Sequence, residues 1–275
     1  MLSFRAKALL MFQDGLGRLT VFVLVPCYFA LIRLMGYRIR DIKAVRAACR
    51  REFEKHEGPW LICANHLTMV DSPLLSYAML SLWTHLRVFR WIPWNLPERS
   101  NFSNPFLVLL CYLSKCIPVQ RGGPRTEMKQ TLAKCAYLLS RKQRLMIFPE
   151  GGRSRTGRVD TEQFSYGVGR FVEDSGGDLR VMCLYLRGDS QTSYGSIPAF
   201  GERFTVLVDV FKPEKSALTG LRAQREYAGQ IIGRLAEMED NYFGFYRQRH
   251  SGPDRSRQHR EERRQPVSAA GVYTP

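Results

Sequence analysis

Trp60-Leu61-Ile62-Cys63-Ala64 and Arg144-Leu145-Met146-Ile147-Phe148 are short runs that are apolar at almost every position. A strand without a polar side-chain parity has no face for water, so it must be covered on both sides, as in a parallel sheet between helices. Further strand candidates lie at Leu86 to Ile92, Lys115 to Gln120, Leu179 to Leu186 and Phe204 to Phe211. Helical patterns fill the gaps, at about 104 to 114, 124 to 142 and 165 to 174. A last one, Gly220 to Met238, has apolar positions at Leu221, Ile231, Ile232 and Leu235 and closes the domain. This alternation predicts an α/β fold, a mostly parallel sheet flanked by helices. With 275 residues, 45% of them hydrophobic, the chain can bury one substantial core.

Three strand ends carry polar clusters. Ala64 is followed by Asn65-His66-Leu67-Thr68-Met69-Val70-Asp71-Ser72-Pro73, and from Asp71 onward Leu74, Leu75, Tyr77, Ala78, Leu80 and Leu82 make an amphipathic helix. His66 therefore stands where a strand ends, and open α/β sheets bind their ligands beyond the carboxyl ends of the strands. A catalytic imidazole needs one nitrogen facing substrate and a partner on the opposite ring N–H; Asp71, one tight turn later, can be that partner. Alone, the pair also reads as a satisfied loop histidine and a helix cap. The second cluster, Phe148-Pro149-Glu150-Gly151-Gly152-Arg153-Ser154, again follows a strand candidate. Its glycines allow a sharp turn close to a ligand, and Arg153 offers a planar fork of donors for phosphate or carboxylate. Between them, Cys116-Ile117-Pro118-Val119-Gln120-Arg121-Gly122-Gly123-Pro124 repeats the plan, with Pro124 placed to open a helix. Together the clusters point to acyl transfer.

These residues resemble the glycerolipid acyltransferases that include 1-acylglycerol-3-phosphate acyltransferase, with their Asn-His-x4-Asp and Phe-Pro-Glu-Gly-x-Arg-Ser motifs. The resemblance runs roughly from Trp60 to Arg187. It implies that His66 is the general base and Asp71 its orienting partner, and that Arg121, Glu150, Gly151 and Arg153 hold the glycerol and phosphate portion of the acceptor. It further implies an acyl thioester donor, acyl-CoA or acyl carrier protein, as co-substrate, with no cofactor or metal. His66 would take the proton of a lysolipid hydroxyl as that oxygen attacks the thioester carbonyl; the thiol leaves and no acyl-enzyme forms. Three positions depart from the family pattern. Leu96 and Pro97 precede Glu98 where phosphatidate-forming members carry lysine, Gly152 stands for the commoner threonine, and Cys183 stands for a proline of a fourth block. The first of these weakens the case for a lysophosphatidate acceptor. An inactive scaffold of the same fold, or a thioester hydrolase that uses the same base on water, are the rival readings.

The remaining features concern location. Fourteen uncharged residues, Leu19 to Ile32, lie between Arg18 and Arg33 and contain Pro26. At ~1.5 Å per residue they fall short of a ~30 Å hydrocarbon core. We read residues 1–45 as two short interfacial helices, monotopic rather than spanning, 46–246 as the catalytic domain, and 247–275 as a basic disordered tail. A helix packed on the catalytic domain is the alternative for the first segment. The formal net charge is +16, concentrated near the N-terminal helices and in the tail without a nucleic-acid-binding motif. Anionic lipid at a membrane surface is the expected partner, and nucleic acid is not. Seven cysteines without a CxxC pair indicate neither a disulfide framework nor a zinc site and suit a reducing compartment. The expected location is the cytoplasmic face of a membrane, the inner membrane of a bacterium.

Overall fold

In the computed structural model, which describes residues 2–101, 104–120 and 122–247, the run Trp60–Ala64 is a strand buried at all five positions. In chain order the elements are α1 (Phe4–Leu34), β1 (Arg38–Ile39), α2 (Ile42–Lys55), β2 (Trp60–Ala64), α3 (Asp71–Met79), α4 (Leu82–Arg87), β3 (Trp94–Asn95) and α5 (Pro105–Leu113). They continue with α6 (Arg125–Ser140), β4 (Arg144–Ile147), α7 (Gly167–Asp174), β5 (Arg180–Gly188), β6 (Arg203–Phe211) and α8 (Leu221–Asn241), followed by a π-helical turn Tyr242–Arg247. The sheet order is β1-β6-β5-β2-β4-β3, with every pairing parallel except β5 with β6. The protein is a mixed α/β fold in three layers. Side chains of β2 alternate between two cores: Trp60, Ile62 and Ala64 pack with α1, α2 and α3, while Leu61 and Cys63 pack with α6, α7 and α8.

Some elements differ from the sequence expectation. Leu86 to Ile92 is not a strand: α4 ends there and a 3-10 turn, Phe89–Trp91, follows. Ser81 starts α4 by accepting from the Thr84 N–H at 3.1 Å, and the buried Phe89 and Trp91 complete the first core. Lys115 to Gln120 makes only isolated bridges, Cys116 to Asn95 and Val119 to Glu98, and Pro118 lies between them without a ladder donor. The domain boundary expected after residue 45 falls inside α2. The tail beyond 247 lies outside the described residues.

The N-terminal segment needs the largest correction. It is one 31-residue helix, α1, rather than two short ones, and Pro26 lies within it. At 1.5 Å per residue it extends ~46 Å, so the apolar gap of fourteen residues does not set its reach. Leu10, Gln13, Gly17, Val21, Val25, Phe29 and Ile32 recur every three or four positions and are buried. This stripe packs on the domain, and burial of its apolar members offsets the hydrogen bond lost at Pro26. Polar contacts fix it near both ends. Gln13 donates to the carbonyls of Tyr112 (2.8 Å) and Cys116 (2.9 Å), and Asp14 lies 3.6 Å from the buried Lys115 ammonium. Burial pushes the Lys115 ammonium down to about 7. Further on, the Tyr28 hydroxyl donates to His85 Nε2 at 2.7 Å, His85 Nδ1–H being committed to the Ser81 carbonyl at 2.9 Å. Burial pushes this imidazole down to about 4, so it is a neutral structural link.

On the opposite side of the sheet, α7 crosses α8 so closely that a Cβ at Gly169 would lie 1.9 Å from the Gln224 carbonyl oxygen. Gly229, also helical, has nothing within 4 Å. Gly169→Ala should therefore cost about 2 kcal/mol or more by forcing the helices apart. Gly229→Ala should add ~0.5–1 kcal/mol through helix propensity. Urea denaturation midpoints shifting in opposite directions would show this; two midpoints that move alike would contradict the close crossing.

Candidate active site

β2 delivers His66 to the site, and its register is extended by one side chain. The Asn65 amide donates to the Leu186 carbonyl (2.9 Å) and accepts the Leu186 N–H (2.7 Å), which continues the β2–β5 pairing one residue past the strand. The chain then turns from Leu67 to Val70 and enters α3 at Asp71. Asp71 is 1% exposed and carries four donors. Its Oδ2 accepts His66 Nδ1–H (2.9 Å), the Leu67 N–H (2.7 Å) and the Thr68 N–H (2.8 Å), and its Oδ1 accepts the Thr68 hydroxyl (2.5 Å). The carboxylate thus closes the turn and fixes the imidazole together. With Nδ1 donating to Asp71, Nε2 keeps its lone pair, and the ring remains partly accessible, at 17% side-chain exposure.

The second cluster grips His66 from the other side. Glu150 Oε1 accepts the His66 backbone N–H at 2.9 Å, the Ser154 N–H donates to the His66 carbonyl at 2.8 Å, and the Phe148 ring stacks on the imidazole at 4.1 Å with 19° between planes. Both backbone groups and one ring face of the histidine are held by a segment more than eighty residues away in sequence. Gly151, at φ +72°, makes the turn between these contacts, and its N–H is spent on the Phe148 carbonyl. The Gly151 N–H is therefore not free to donate to a bound oxyanion. The chain just after the turn, tied to it where the Ser154 hydroxyl donates to the Arg158 carbonyl, is braced by Glu239 of α8, which accepts the Val159 N–H (3.1 Å) and the Tyr185 hydroxyl (3.1 Å) and pairs with Arg158 (3.0 Å).

Of the site residues expected from sequence, His66, Asp71, Glu150 and Gly151 come together here. Arg153 reaches sideways: it donates to the Gly195 carbonyl at 2.8 Å, with its guanidinium 5.6 Å from the Tyr194 ring centroid. Arg121 lies outside the described residues. Sequence reading missed Asn65 as a ladder extender, Thr68 as an Asp71 donor, and Phe148 and Ser154 as clamps. All four lie within or beside the two motifs, which was the one available signal. Among the described residues no group of three or more His, Cys, Asp or Glu side chains is arranged to hold a metal ion. A cleft of about 480 Å³ between β6 and α8, lined by Asp209, Arg234 and Met238, involves none of these site residues.

An α/β sheet that presents a carboxylate-held imidazole beyond its central strand defines a protein equipped to take a proton from a bound nucleophile. Residues 38–185, more than half the chain, match the family model described as Acyltransferase, and the chain belongs to that family. No curated protein matches it.

Glu150 is the site group whose state depends most on the fold. Burial pushes its carboxyl up to about 7, against the backbone hydrogen bond from His66. A carboxyl raised in the folded state contributes stability that is fully present below its unfolded value of about 4.5 and is lost as pH rises through about 7. Glu150→Gln keeps an oxygen to accept the His66 N–H but cannot ionise. Its stability relative to the natural protein should therefore grow between pH 4.5 and 7 and level off above, by about 3 kcal/mol in total. A difference independent of pH in paired denaturation curves would contradict a buried, ionisable Glu150.

Proposed function

We propose that the protein acylates a hydroxyl of a lysophospholipid, 1-acylglycerol-3-phosphate or a related lysolipid, from acyl-CoA or an acyl carrier protein thioester, working at one face of a membrane. The observation that supports this reading most is the double hold on His66, Asp71 on Nδ1 and the Phe148–Ser154 segment on its backbone and ring, which leaves Nε2 as the open basic atom. In this reading Nε2 removes the acceptor hydroxyl proton as the oxygen attacks the thioester carbonyl. Asp71 stabilises the imidazolium that forms, the tetrahedral oxyanion collapses, and the departing thiolate takes up the proton. Arg153, with donors beyond the one given to Gly195, suits an anionic headgroup, and Arg121 is assigned the same task by its motif. Gly151 permits close approach of the chain, and Glu150 sits at the joint of base and turn.

Membrane association is supported by α1, which is long and apolar enough to cross a bilayer by length and composition. We place it along one leaflet because its buried stripe runs from Leu10 to Ile32 against the domain, so a helix standing across the membrane would carry the domain into hydrocarbon. Its other face exposes Leu9, Phe12, Leu19, Phe22 and Val23, and neighbouring α5 exposes Phe106, Leu107 and Leu109 while burying no residue. An apolar surface of this extent is paired with something other than water. The chain's positive charge favours anionic headgroups beside it.

His66→Ala should lower acyl transfer by ~10²–10⁴ while circular dichroism stays near normal, with a modest loss of stability because the ring stacks on Phe148 and donates to buried Asp71. Asp71→Asn should lower turnover more than acceptor affinity, with some loss of stability because Asp71 also closes the turn. The assay is thiol release from an acyl thioester over a panel of lysolipids read by mass spectrometry. Release without acceptor would instead favour a hydrolase, and normal turnover in His66→Ala would remove His66 from the chemistry. For α1, tags at residues 1 and 40 should be accessible from the same side of sealed vesicles; opposite sides would require a spanning helix.

A further inference from the structure

We infer that the loop from Thr192 to Gly201 is the lipid-facing edge of the His66 site, dipping Tyr194, Ile197 and Phe200 into the same anionic phospholipid leaflet that carries α1. This deepens the membrane-surface reading above and depends on it. The loop has no helix or strand of its own, yet it presents three large apolar side chains to water, at 48%, 63% and 76% exposure. Looseness does not explain that exposure, because the backbone is tied along its length. The Gly195 N–H donates to the Leu67 carbonyl (3.0 Å), and the Ser196 carbonyl accepts the Met69 N–H (3.1 Å). The Pro198 carbonyl accepts the Tyr37 hydroxyl (2.9 Å), and the Gly201 N–H donates to the Met35 carbonyl (2.8 Å). Arg153 holds Gly195 from the second motif. A pre-ordered apolar loop has already lost the entropy that would oppose insertion into an interface.

Its two ends say what covers it. One end sits on Met35 and Gly36, directly after Leu31 and Leu34, the exposed apolar end of α1; the Cα of Gly201 is 3.0 Å from where a Gly36 Cβ would be. The other end bonds the turn that follows His66, where Met69 is also exposed. Hydrogen bonds thus link the α1 end, the loop and the imidazole turn, and each of the three exposes large apolar side chains: Leu31 and Leu34, then Ile197 and Phe200, then Met69. Arg153, beside Tyr194, places a cation at the boundary where a phosphate headgroup would lie. A lysolipid could then present its hydroxyl to His66 with its chain still in the leaflet. A soluble protein partner would not need the loop to be bonded to the α1 end.

Fluorescence tests the placement. Trp60, Trp91 and Trp94 are buried, so in a Trp83→Phe background an indole introduced by Ile197→Trp is an exposed one, read as the difference in emission from the Trp83→Phe parent. Phe200→Trp serves the same purpose if the first variant folds poorly. With vesicles of phosphatidylcholine and phosphatidylglycerol, the emission should shift to the blue. Brominated acyl chains should remove about half or more of the emission that the introduced indole adds, since interfacial side chains sit ~5–10 Å into the headgroup and acyl boundary. Leu221→Trp, at the exposed start of α8, should show neither change. A reporter at 197 or 200 that stays unquenched while the protein sediments with vesicles overturns the lipid-facing edge and leaves the membrane reading standing. Failure to sediment at all removes both.

Discussion

Everything at this site depends on His66 being held without its own flexibility. A side chain at the end of a strand has a free backbone and two rotatable bonds, and a base that wanders by an ångström loses much of its rate advantage. Here the Asn65 amide locks the preceding residue to β5, Asp71 takes Nδ1–H, and the 148–154 turn takes the backbone N–H, the carbonyl and one ring face. The two motifs are parts of one clamp, closed around a single imidazole. Asp71 does two things in the structure, since the same carboxylate that orients the ring also satisfies the turn's amides.

The clamp is continuous with the rest of the molecule. Glu239 and Arg158 join the second motif's loop to α8, and α8 is held to α7 by a contact that only glycine at 169 admits. On the other face, α1 is fastened to the α5 end through Gln13 and Asp14 and to α4 through Tyr28 and His85. The 192–201 loop bonds both the α1 end and the His66 turn. The proposed lipid-contacting helix and the proposed base are therefore parts of one rigid framework, which suits a reaction whose acceptor stays in a membrane.

Local features of this arrangement were legible in the sequence, and long-range ones were not. β2, β4 and β5 announced themselves because a strand buried on both faces has no polar parity, and β6 because Phe204, Val206, Val208 and Val210 alternate with Arg203, Thr205 and Asp209. Leu86 to Ile92, apolar apart from Arg87 and Arg90, is a helix end and a 3-10 turn, and the signal overlooked was Ser81 as a cap. β1 and β3, at two residues each, are too short to leave a pattern. Pro26 read as a break, but packing of Val21, Val25, Phe29 and Ile32 carries the helix through it. In the site, the five-residue spacing of His66 and Asp71 was readable because it closes within one turn. The bonds from Glu150, Leu186 and Gly195 join residues 84, 121 and 42 apart in sequence, distances at which no periodicity exists to be read.

The central claim is direct transfer from thioester to acceptor, with His66 as base and no acyl-enzyme. Rapid-quench mixing of stoichiometric protein with an acyl thioester, followed by intact-protein mass measurement, tests it most directly. The account predicts no burst of free thiol and no gain in protein mass until a lysolipid acceptor is added, after which thiol and acylated lipid appear together. A stoichiometric burst without acceptor, with the protein heavier by one acyl group, would show a covalent intermediate and contradict it.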